Sequence, residues 1–151
     1  MAITARMKAP PTAEIHGADA SPKMIDRARE HATKAGVNVD FRTGLVEAID
    51  FPDNSIDVIL SNFMVHHLPD HLKVEAFAEI YRVLKPGGRL QVVEFEPPKK
   101  PVSRFFLGLI LKGMMDINTR EIPPLLKQAG FTDVMLGSSG HPLATVVTGK
   151  K

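Results

Sequence analysis

Two adjacent histidines and two glutamates in this 151-residue chain combine a residue type that suits proton transfer with a position after or at the end of an apolar run. His66 and His67 follow one apolar run, and Glu94 and Glu96 end another. A neutral imidazole can take a proton from a hydroxyl or an enol, so the histidines are candidate catalytic residues. The glutamates either orient an amine or a hydroxyl at the mouth of such a site or are solvated charges at a strand end. As metal ligands the histidines are poor candidates, because we expect adjacent rings to point apart and no third ligand has useful spacing.

A strand, a helix and a second strand are predicted to position these residues. Ile56 to Leu60 is an apolar run bounded by turn-forming residues, which is typical of a buried parallel strand. Leu72 to Leu84 has apolar residues at helical spacing, with Asp70 as a candidate N-cap and a stop at Lys85-Pro86-Gly87-Gly88. Leu90 to Phe95 is the next predicted strand. Ligands of such βαβ units lie beyond the carboxyl ends of the strands, which places six polar residues along one edge: Ser61, Asn62, His66, His67, Glu94 and Glu96.

The same alternation of strand and helix precedes this unit. Glu14 to Asp19 is a short strand candidate that ends in a carboxylate. Ser21 and Pro22 then suit the N-cap and first position of a helix that stops at Gly36, with Ile25, Ala28, Ala32 and Ala35 on its apolar face. Val37 to Thr43 is the next predicted strand.

Three further elements are predicted after the unit. Phe105 to Met115 is apolar all round and is predicted to be a helix buried against something other than water. A helix should begin near Ile122 and stop at Gly130. The last two strands, Thr132 to Gly137 and Ala144 to Thr148, have no helix between them and should pair antiparallel.

Composition limits the classes of function. The chain suits one domain spanning residues 1–151, and its net charge of +2 comes from scattered basic residues, so we expect no nucleic-acid partner. The lack of cysteine excludes disulfides, zinc–thiolate sites and a cysteine nucleophile, and it fits a reducing, cytoplasmic location. No apolar run reaches the roughly 18 residues that a membrane span needs.

Three ordered motifs resemble those of class I S-adenosylmethionine-dependent methyltransferases, most closely the ubiquinone/menaquinone-type branch that acts on small molecules. They are Ile15 to Met24, Phe51 to Ile59 and Leu84 to Leu90. The resemblance extends from about Ala13 to the C-terminus. It implies an α/β fold with a Rossmann-like, mostly parallel sheet that ends in an antiparallel hairpin, and S-adenosylmethionine as cofactor.

The resemblance also implies roles for individual residues. Asp19 matches the acidic residue that accepts both ribose hydroxyls, although it could instead only cap the next helix. Ala20 and Met24 match positions that pack against the adenine, with Met24 as plain core the alternative. Leu45, in the stretch Gly44-Leu45-Val46, stands where the family usually has an acidic residue for the adenine amino group. Ser61 and Asn62 match the strand end beside the methionine part, and His66 and His67 match a His-His-Leu stretch near the departing methyl group.

The chain departs from the family at its start. No glycine-rich turn of the G-x-G-x-G kind precedes Asp19. In the family the strand before that turn lies centrally, between the strands ending here at Asp19 and Asn62. We therefore expect either an N-terminally truncated methyltransferase domain or a shortened relative in which those two strands pair directly.

Two classes of function follow from the resemblance. The first is methyl transfer to a small, apolar acceptor, with Phe105 to Met115 at the place of the acceptor-binding elements. The second is a non-catalytic methyltransferase-like fragment or binding module that associates with another chain, or with its own copies, through exposed sheet edges. A further alternative is peripheral membrane contact through Lys99-Lys100 and the apolar segment. The same segment could instead be a helix that covers an acceptor pocket or fills the core.

Overall fold

The computed structural model describes residues 1–96, 119–141 and 143–151. It divides the chain into two compact units, Met1–Asp50 and Phe51–Lys151. The assignment of residues 1–151 to one domain stays a prediction. The segment from Phe105 to Met115 and the pair Lys99-Lys100 lie outside the described residues, so the helix and the membrane contact predicted there stay predictions too.

The first unit pairs two short parallel strands and contains two helices. Its elements are α1 (Ala2–Lys8), β1 (His16–Asp19), α2 (Pro22–Lys34) and β2 (Asp40–Thr43). The strands run in register from His16 opposite Asp40 to Asp19 opposite Thr43. Ser21 is the N-cap of α2 and Pro22 its first residue, as predicted. The chain leaves α2 through Gly36, whose φ of +64° is a left-handed conformation that glycine adopts without strain.

A small apolar core holds the first unit together. Ile25, Ala32 and Phe41 are buried, and Ala28 is among the partly buried residues that pack on them. Ala35 is exposed at the C-cap of α2, so its predicted place on the apolar face is wrong; the helix has ended one residue earlier. Gly17 lies opposite Phe41, and a Cβ at Gly17 would come within 2.6 Å of two atoms of the phenyl ring.

The second unit is built on a four-stranded mixed sheet. Its elements are β3 (Ile56–Asn62), a 3-10 turn (Val65–His67), α3 (Asp70–Val83), β4 (Leu84–Phe95), a second 3-10 turn (Thr119–Glu121), α4 (Ile122–Gln128), β5 (Thr132–Ser138) and β6 (Ala144–Lys150). The strand order is β3-β4-β6-β5. The β3–β4 pair is parallel, whereas β6 is antiparallel to both β4 and β5. The predicted βαβ unit and closing hairpin are confirmed.

Two predicted boundaries in this unit are corrected. Asp70 is the first residue of α3 rather than its N-cap, which is Pro69. The helix ends at Val83 rather than at Leu84, and β4 already begins at Leu84 instead of Leu90, so Lys85-Pro86-Gly87-Gly88 lies within the strand. Hydrogen bonds explain the early start, because the Gly87 N–H donates to the Lys151 carbonyl and the Lys151 N–H donates to the Gly88 carbonyl.

The core of the second unit lies between α3 and the sheet. Phe77, Ile80 and Val83 of α3 are buried, as are Leu90 and Val92 of β4. Further core residues come from the C-terminal part: Ile122, Leu126, Phe131 and Val147.

The strand β3 is less buried than predicted. Val58 is 56% exposed and Leu60 is 41% exposed. The apolar run predicted a strand covered on all sides, but among the described residues β3 pairs only with β4 and is therefore an edge strand. Strands β1 and β3 belong to separate units and separate sheets. The truncated and the shortened alternatives both stay predictions.

No helix within residues 1–96, 119–141 and 143–151 is long and apolar enough to cross a membrane.

An ion cluster ties together the amino ends of β1 and β2. The Arg42 guanidinium donates to Asp40 Oδ2 from Nε at 2.8 Å, and His16 Nδ1 lies 3.1 Å from the same oxygen. The hydrogen bonds from Arg42 and, next, from His16 hold the pKa of Asp40 below its ordinary value.

Replacing Gly17 with valine should destabilise the first unit, because the new side chain meets the Phe41 ring. Overpacking of this kind costs about 1–3 kcal/mol. Urea unfolding measures the change in the free energy of unfolding. Gly44→Ala is the matched control, since a Cβ there meets nothing within 4 Å. Equal stability of the two variants would contradict the packing of Phe41 on Gly17.

The stabilisation contributed by Asp40 should depend on pH. Because the pKa of its carboxyl is lowered in the folded chain, the contribution is complete above the ordinary value of about 3.8 and is lost as the pH falls through the lower folded value. The difference in unfolding free energy between wild type and Asp40→Asn should therefore shrink on acidification below about pH 4. Urea titrations at several pH values measure it. Arg42→Met removes the main cause and should reduce this pH dependence, and an unchanged dependence would contradict the assignment.

Candidate functional site

The carboxyl ends of β1 and β2 bring an exposed carboxylate next to a glycine. Asp19 ends β1 and is exposed. Its Oδ1 accepts the Ser21 N–H at 2.8 Å, and its carbonyl accepts the Gly44 N–H at 3.1 Å. The side chain thus stabilises the turn before α2 without bonding an N–H inside the helix. One carboxylate oxygen, Oδ1, makes this contact, and the side chain remains open to solvent.

Exposed apolar side chains accompany this carboxylate in the first unit. Met24 in the first turn of α2 is 47% exposed, and Leu45 after β2 is 53% exposed. Ala20 is also exposed, and Val46 is half-buried. The alternative that Met24 is plain core is therefore wrong. Exposed methionine and leucine side chains are surfaces that a flat apolar ligand can cover, whereas Leu45 offers no side-chain hydrogen-bonding group.

The carboxyl end of β3 carries a buried hydroxyl. Ser61 is 7% exposed, and its Oγ has no hydrogen-bond partner among the described residues. Asn62 ends the strand and is exposed. An unpaired buried hydroxyl is costly, so Ser61 is a residue whose hydroxyl a polar ligand atom could satisfy.

A sharp turn after β3 directs the following residues back to β4. Phe63 has a φ of +52°, which is unusual for a residue with a side chain, and its N–H donates to the Val93 carbonyl at 2.8 Å. Backbone strain of this kind is concentrated at functional sites. The turn leads directly into the 3-10 turn that carries both histidines.

Glu94 joins this turn to the sheet. The glutamate is completely buried; its Oε1 accepts the Val65 N–H at 2.7 Å, and its Oε2 lies 2.7 Å from His66 Nδ1. The side chains of His66 and Glu94 are 7% and 1% exposed. The alternative that Glu94 is a solvated strand-end charge is wrong, because its side chain lies on the same buried face of β4 as Leu90 and Val92.

His67 lies beside this pair but on the solvent side. It is exposed, and its ring centroid lies 4.0 Å from that of His66 with the planes 42° apart. The expectation that the adjacent rings point apart is therefore wrong, because the 3-10 turn places successive side chains closer together than an extended chain does. The described residues contain no cluster of three or more His, Asp or Glu side chains that could hold a metal ion.

Glu96 differs from Glu94 in its contacts. It is half-buried, and its Oε2 accepts the Thr145 hydroxyl at 2.8 Å. This bond directs Glu96 to β6 rather than to the histidines. The contact with Thr145 matches neither predicted role of Glu96, which were to orient a substrate amine or hydroxyl and to be a solvated charge at a strand end.

An open cleft of about 700 Å³ lies elsewhere in the first unit. Arg6, Glu14, His16 and Asp40 are among the residues that line it. These residues lie at or before the amino ends of β1 and β2, whereas ligands of parallel sheets lie beyond the carboxyl ends. The cleft is therefore not the site predicted around Asp19.

The predicted site residues divide between the two units. The first unit contains Asp19, Ala20, Met24, Gly44, Leu45 and Val46, and the second contains Ser61, Asn62, His66 and His67. The contact between Glu94 and His66 was not predicted. Alternation along β4 contained the signal, because Leu90, Val92 and Glu94 are spaced two residues apart and share one face.

Known proteins resemble this chain in sequence. A family model described as a methyltransferase domain matches residues 2–88. An uncharacterised methyltransferase of Bacillus subtilis is 39% identical over 142 residues, which cover 93% of this chain and 53% of that protein. A demethylmenaquinone methyltransferase of Thermus thermophilus is 43% identical over 90 residues, which cover 60% of this chain and 40% of that protein. The chain thus spans about half the length of these two relatives.

Solved structures share the fold. A S-adenosylmethionine-dependent methyltransferase of Aquifex aeolicus matches with a TM-score of 0.75 and 21% identity, over 93% of this chain and 70% of that one. The [4+2]-cyclase SpnF matches with a TM-score of 0.76 and 19% identity, over 99% of this chain and 69% of that one. The fold and the family match agree with the three motifs at Ile15 to Met24, Phe51 to Ile59 and Leu84 to Leu90: the chain belongs to the class I S-adenosylmethionine-dependent methyltransferases, of the ubiquinone/menaquinone type.

Proposed function

We propose that this chain binds S-adenosylmethionine and transfers its methyl group to a small, apolar acceptor. The observation that supports this most is that the Asp19 carboxylate is exposed at the carboxyl end of β1, while Met24 in the following helix and Leu45 after β2 are exposed apolar side chains. A nucleoside has the matching chemistry, since its ribose diol donates hydrogen bonds and its base is flat and largely apolar on its faces.

The residues of the first unit fit the nucleoside part of the cofactor. Asp19 would accept the ribose hydroxyls, while Met24 and Leu45 would contact the adenine. Leu45 has no acceptor for the adenine amino group, so recognition of the base would depend on apolar contact and on backbone groups.

We propose residues of the second unit for the amino-acid part of the cofactor, as the family resemblance implies. The Ser61 hydroxyl, which has no hydrogen-bond partner among the described residues, and the exposed Asn62 side chain would bond its polar atoms.

His66 is the residue of the second unit that suits proton transfer from the acceptor. The bound cofactor supplies an electrophilic methyl group on a positively charged sulfur. His66 would accept the proton that a hydroxyl or enol loses when it is methylated, and His67 would lie at the solvent side of the same turn. Relatives named demethylmenaquinone methyltransferases make demethylmenaquinone the first acceptor to test.

Replacing Asp19 with asparagine tests the nucleoside site. Asparagine keeps an oxygen for the Ser21 N–H but loses the charge and one acceptor, so affinity for S-adenosylhomocysteine should fall about tenfold or more. Isothermal titration calorimetry with S-adenosylmethionine and S-adenosylhomocysteine measures it. Asp26→Asn, which changes an exposed carboxylate on α2, is the matched control. No heat with wild type at millimolar ligand would contradict cofactor binding by this chain, and equal affinity of wild type and Asp19→Asn would contradict the role of Asp19.

A second candidate function is a binding module that associates with another chain or with its own copies. The observation that favours it is the edge strand β3 with its exposed Val58 and Leu60. Edge strands with exposed apolar residues are sites for pairing with further strands.

Light scattering at increasing concentration tests this second candidate. Wild type should then form dimers or larger species, and Val58→Lys with Leu60→Lys should reduce them, because charges on an edge strand oppose strand pairing. Val74→Lys on α3, where valine is 38% exposed, controls for the added charge. A monodisperse wild-type monomer would contradict self-association through β3.

A further inference from the structure

The buried carboxylate of Glu94 has two hydrogen-bonding partners in one turn. Oε1 accepts the Val65 N–H and Oε2 contacts His66 Nδ1, both at 2.7 Å. A fully buried carboxylate is stable only where hydrogen bonds replace its hydration. The two bonds supply this, and they hold both the backbone and the imidazole ring of the turn against the end of β4.

The donor and acceptor roles determine where the imidazole proton lies. Val65 N–H can only donate, so the Glu94 carboxylate acts as an acceptor at Oε1. An ionised carboxylate only accepts hydrogen bonds, so at Oε2 it would accept from His66 Nδ1–H. In a neutral imidazole the other nitrogen, Nε2, then has the lone pair and is the proton acceptor.

We propose that Glu94 is a positioning residue that holds His66 in the Nδ1–H tautomer and leaves Nε2 as the proton acceptor. This inference rests on the proposed function for its catalytic consequence, but the tautomer is a property of the chain alone. His67 is exposed and no carboxylate contact is found for it in the described part of the chain, so this arrangement distinguishes His66 from its neighbour.

The variant Glu94→Gln distinguishes two roles of Glu94: selecting the tautomer of His66 and simply attaching the turn to β4. The Glu94→Gln side chain can still accept the Val65 N–H through its oxygen, and its NH₂ group can still bond His66 Nδ1. The second bond then reverses direction, because the amide donates and Nδ1 must accept. The turn therefore stays attached to β4, while the imidazole proton of His66 moves from Nδ1 to Nε2. The Nε2 atom of His66 can then no longer accept a proton.

Nitrogen-15 NMR of the histidine rings at alkaline pH measures the tautomer directly. Wild-type His66 should show a protonated Nδ1 and an unprotonated Nε2, and Glu94→Gln should show the reverse. The signals of exposed His71 and His141 should not change and serve as internal controls. An Nε2–H tautomer in wild type, or an Nδ1–H tautomer retained in Glu94→Gln, would overturn the proposal. If Glu94→Gln does not fold, the wild-type tautomer alone decides.

Methyl transfer to demethylmenaquinone tests the catalytic consequence. Glu94→Gln should lower kcat by roughly 10²–10⁴-fold with little change in KM, which is the range that general-base catalysis contributes. His66→Gln should lose a similar factor, and the double variant should lose no more, because residues that act as a unit are not additive. Glu75→Gln, at an exposed position of α3, should keep wild-type kcat.

The outcomes separate the two proposals. A wild-type chain that shows the Nδ1–H tautomer but no methyl transfer contradicts the proposed function and leaves the positioning by Glu94 supported. An active wild type in which Glu94→Gln reverses the tautomer and keeps its kcat contradicts the catalytic role of that positioning.

Discussion

The hydrogen bonds of one buried carboxylate connect the sheet of the second unit to the turn that carries its histidines. Glu94 ends the inward-facing row of β4, where it is surrounded by core rather than by water. A carboxylate at such a place is destabilising unless it is fully bonded, so the chain must bring donors to it. Val65 N–H donates to one carboxylate oxygen and His66 Nδ1 lies within hydrogen-bond distance of the other, and the turn after β3 follows the path that lets both reach Glu94.

The parallel pairing of β3 and β4 is what allows this arrangement. Parallel strands end at the same edge, so residues just beyond β3 come close to the last residues of β4. The left-handed backbone of Phe63 then reverses the chain within a few residues. The first unit follows the same rule, since Asp19 and Thr43 lie opposite one another at the ends of β1 and β2.

Much of the fold could be predicted from local patterns. The apolar spacing of α3, the Ser21-Pro22 start of α2 and the Gly130 stop after α4 are local signals, and the structure has these elements. The start of β4 could not be predicted, because it depends on hydrogen bonds between Gly87, Gly88 and the distant Lys151. The exposure of Val58 and Leu60 likewise depends on which strands lie beside β3, and an apolar run in the sequence does not predict its neighbours.

The site was predicted less completely than the fold. Residue types and strand ends pointed to Asp19, Ser61 and His66, but the distance between Glu94 and His66 follows from tertiary structure alone. The positive φ of Phe63 has no signal in its residue type, because aromatic residues rarely adopt it.

The absence of a side chain at Gly17 selects the alignment of the first two strands. The ring of Phe41 occupies the space that any larger residue would need, so sliding β1 by one position would bring Ala18 or His16 against that ring. A one-residue slip would also turn every side chain of the strand to the opposite face. Gly17, two residues before Asp19, thereby determines that Asp19, rather than Ala18 or Ala20, lies opposite Thr43.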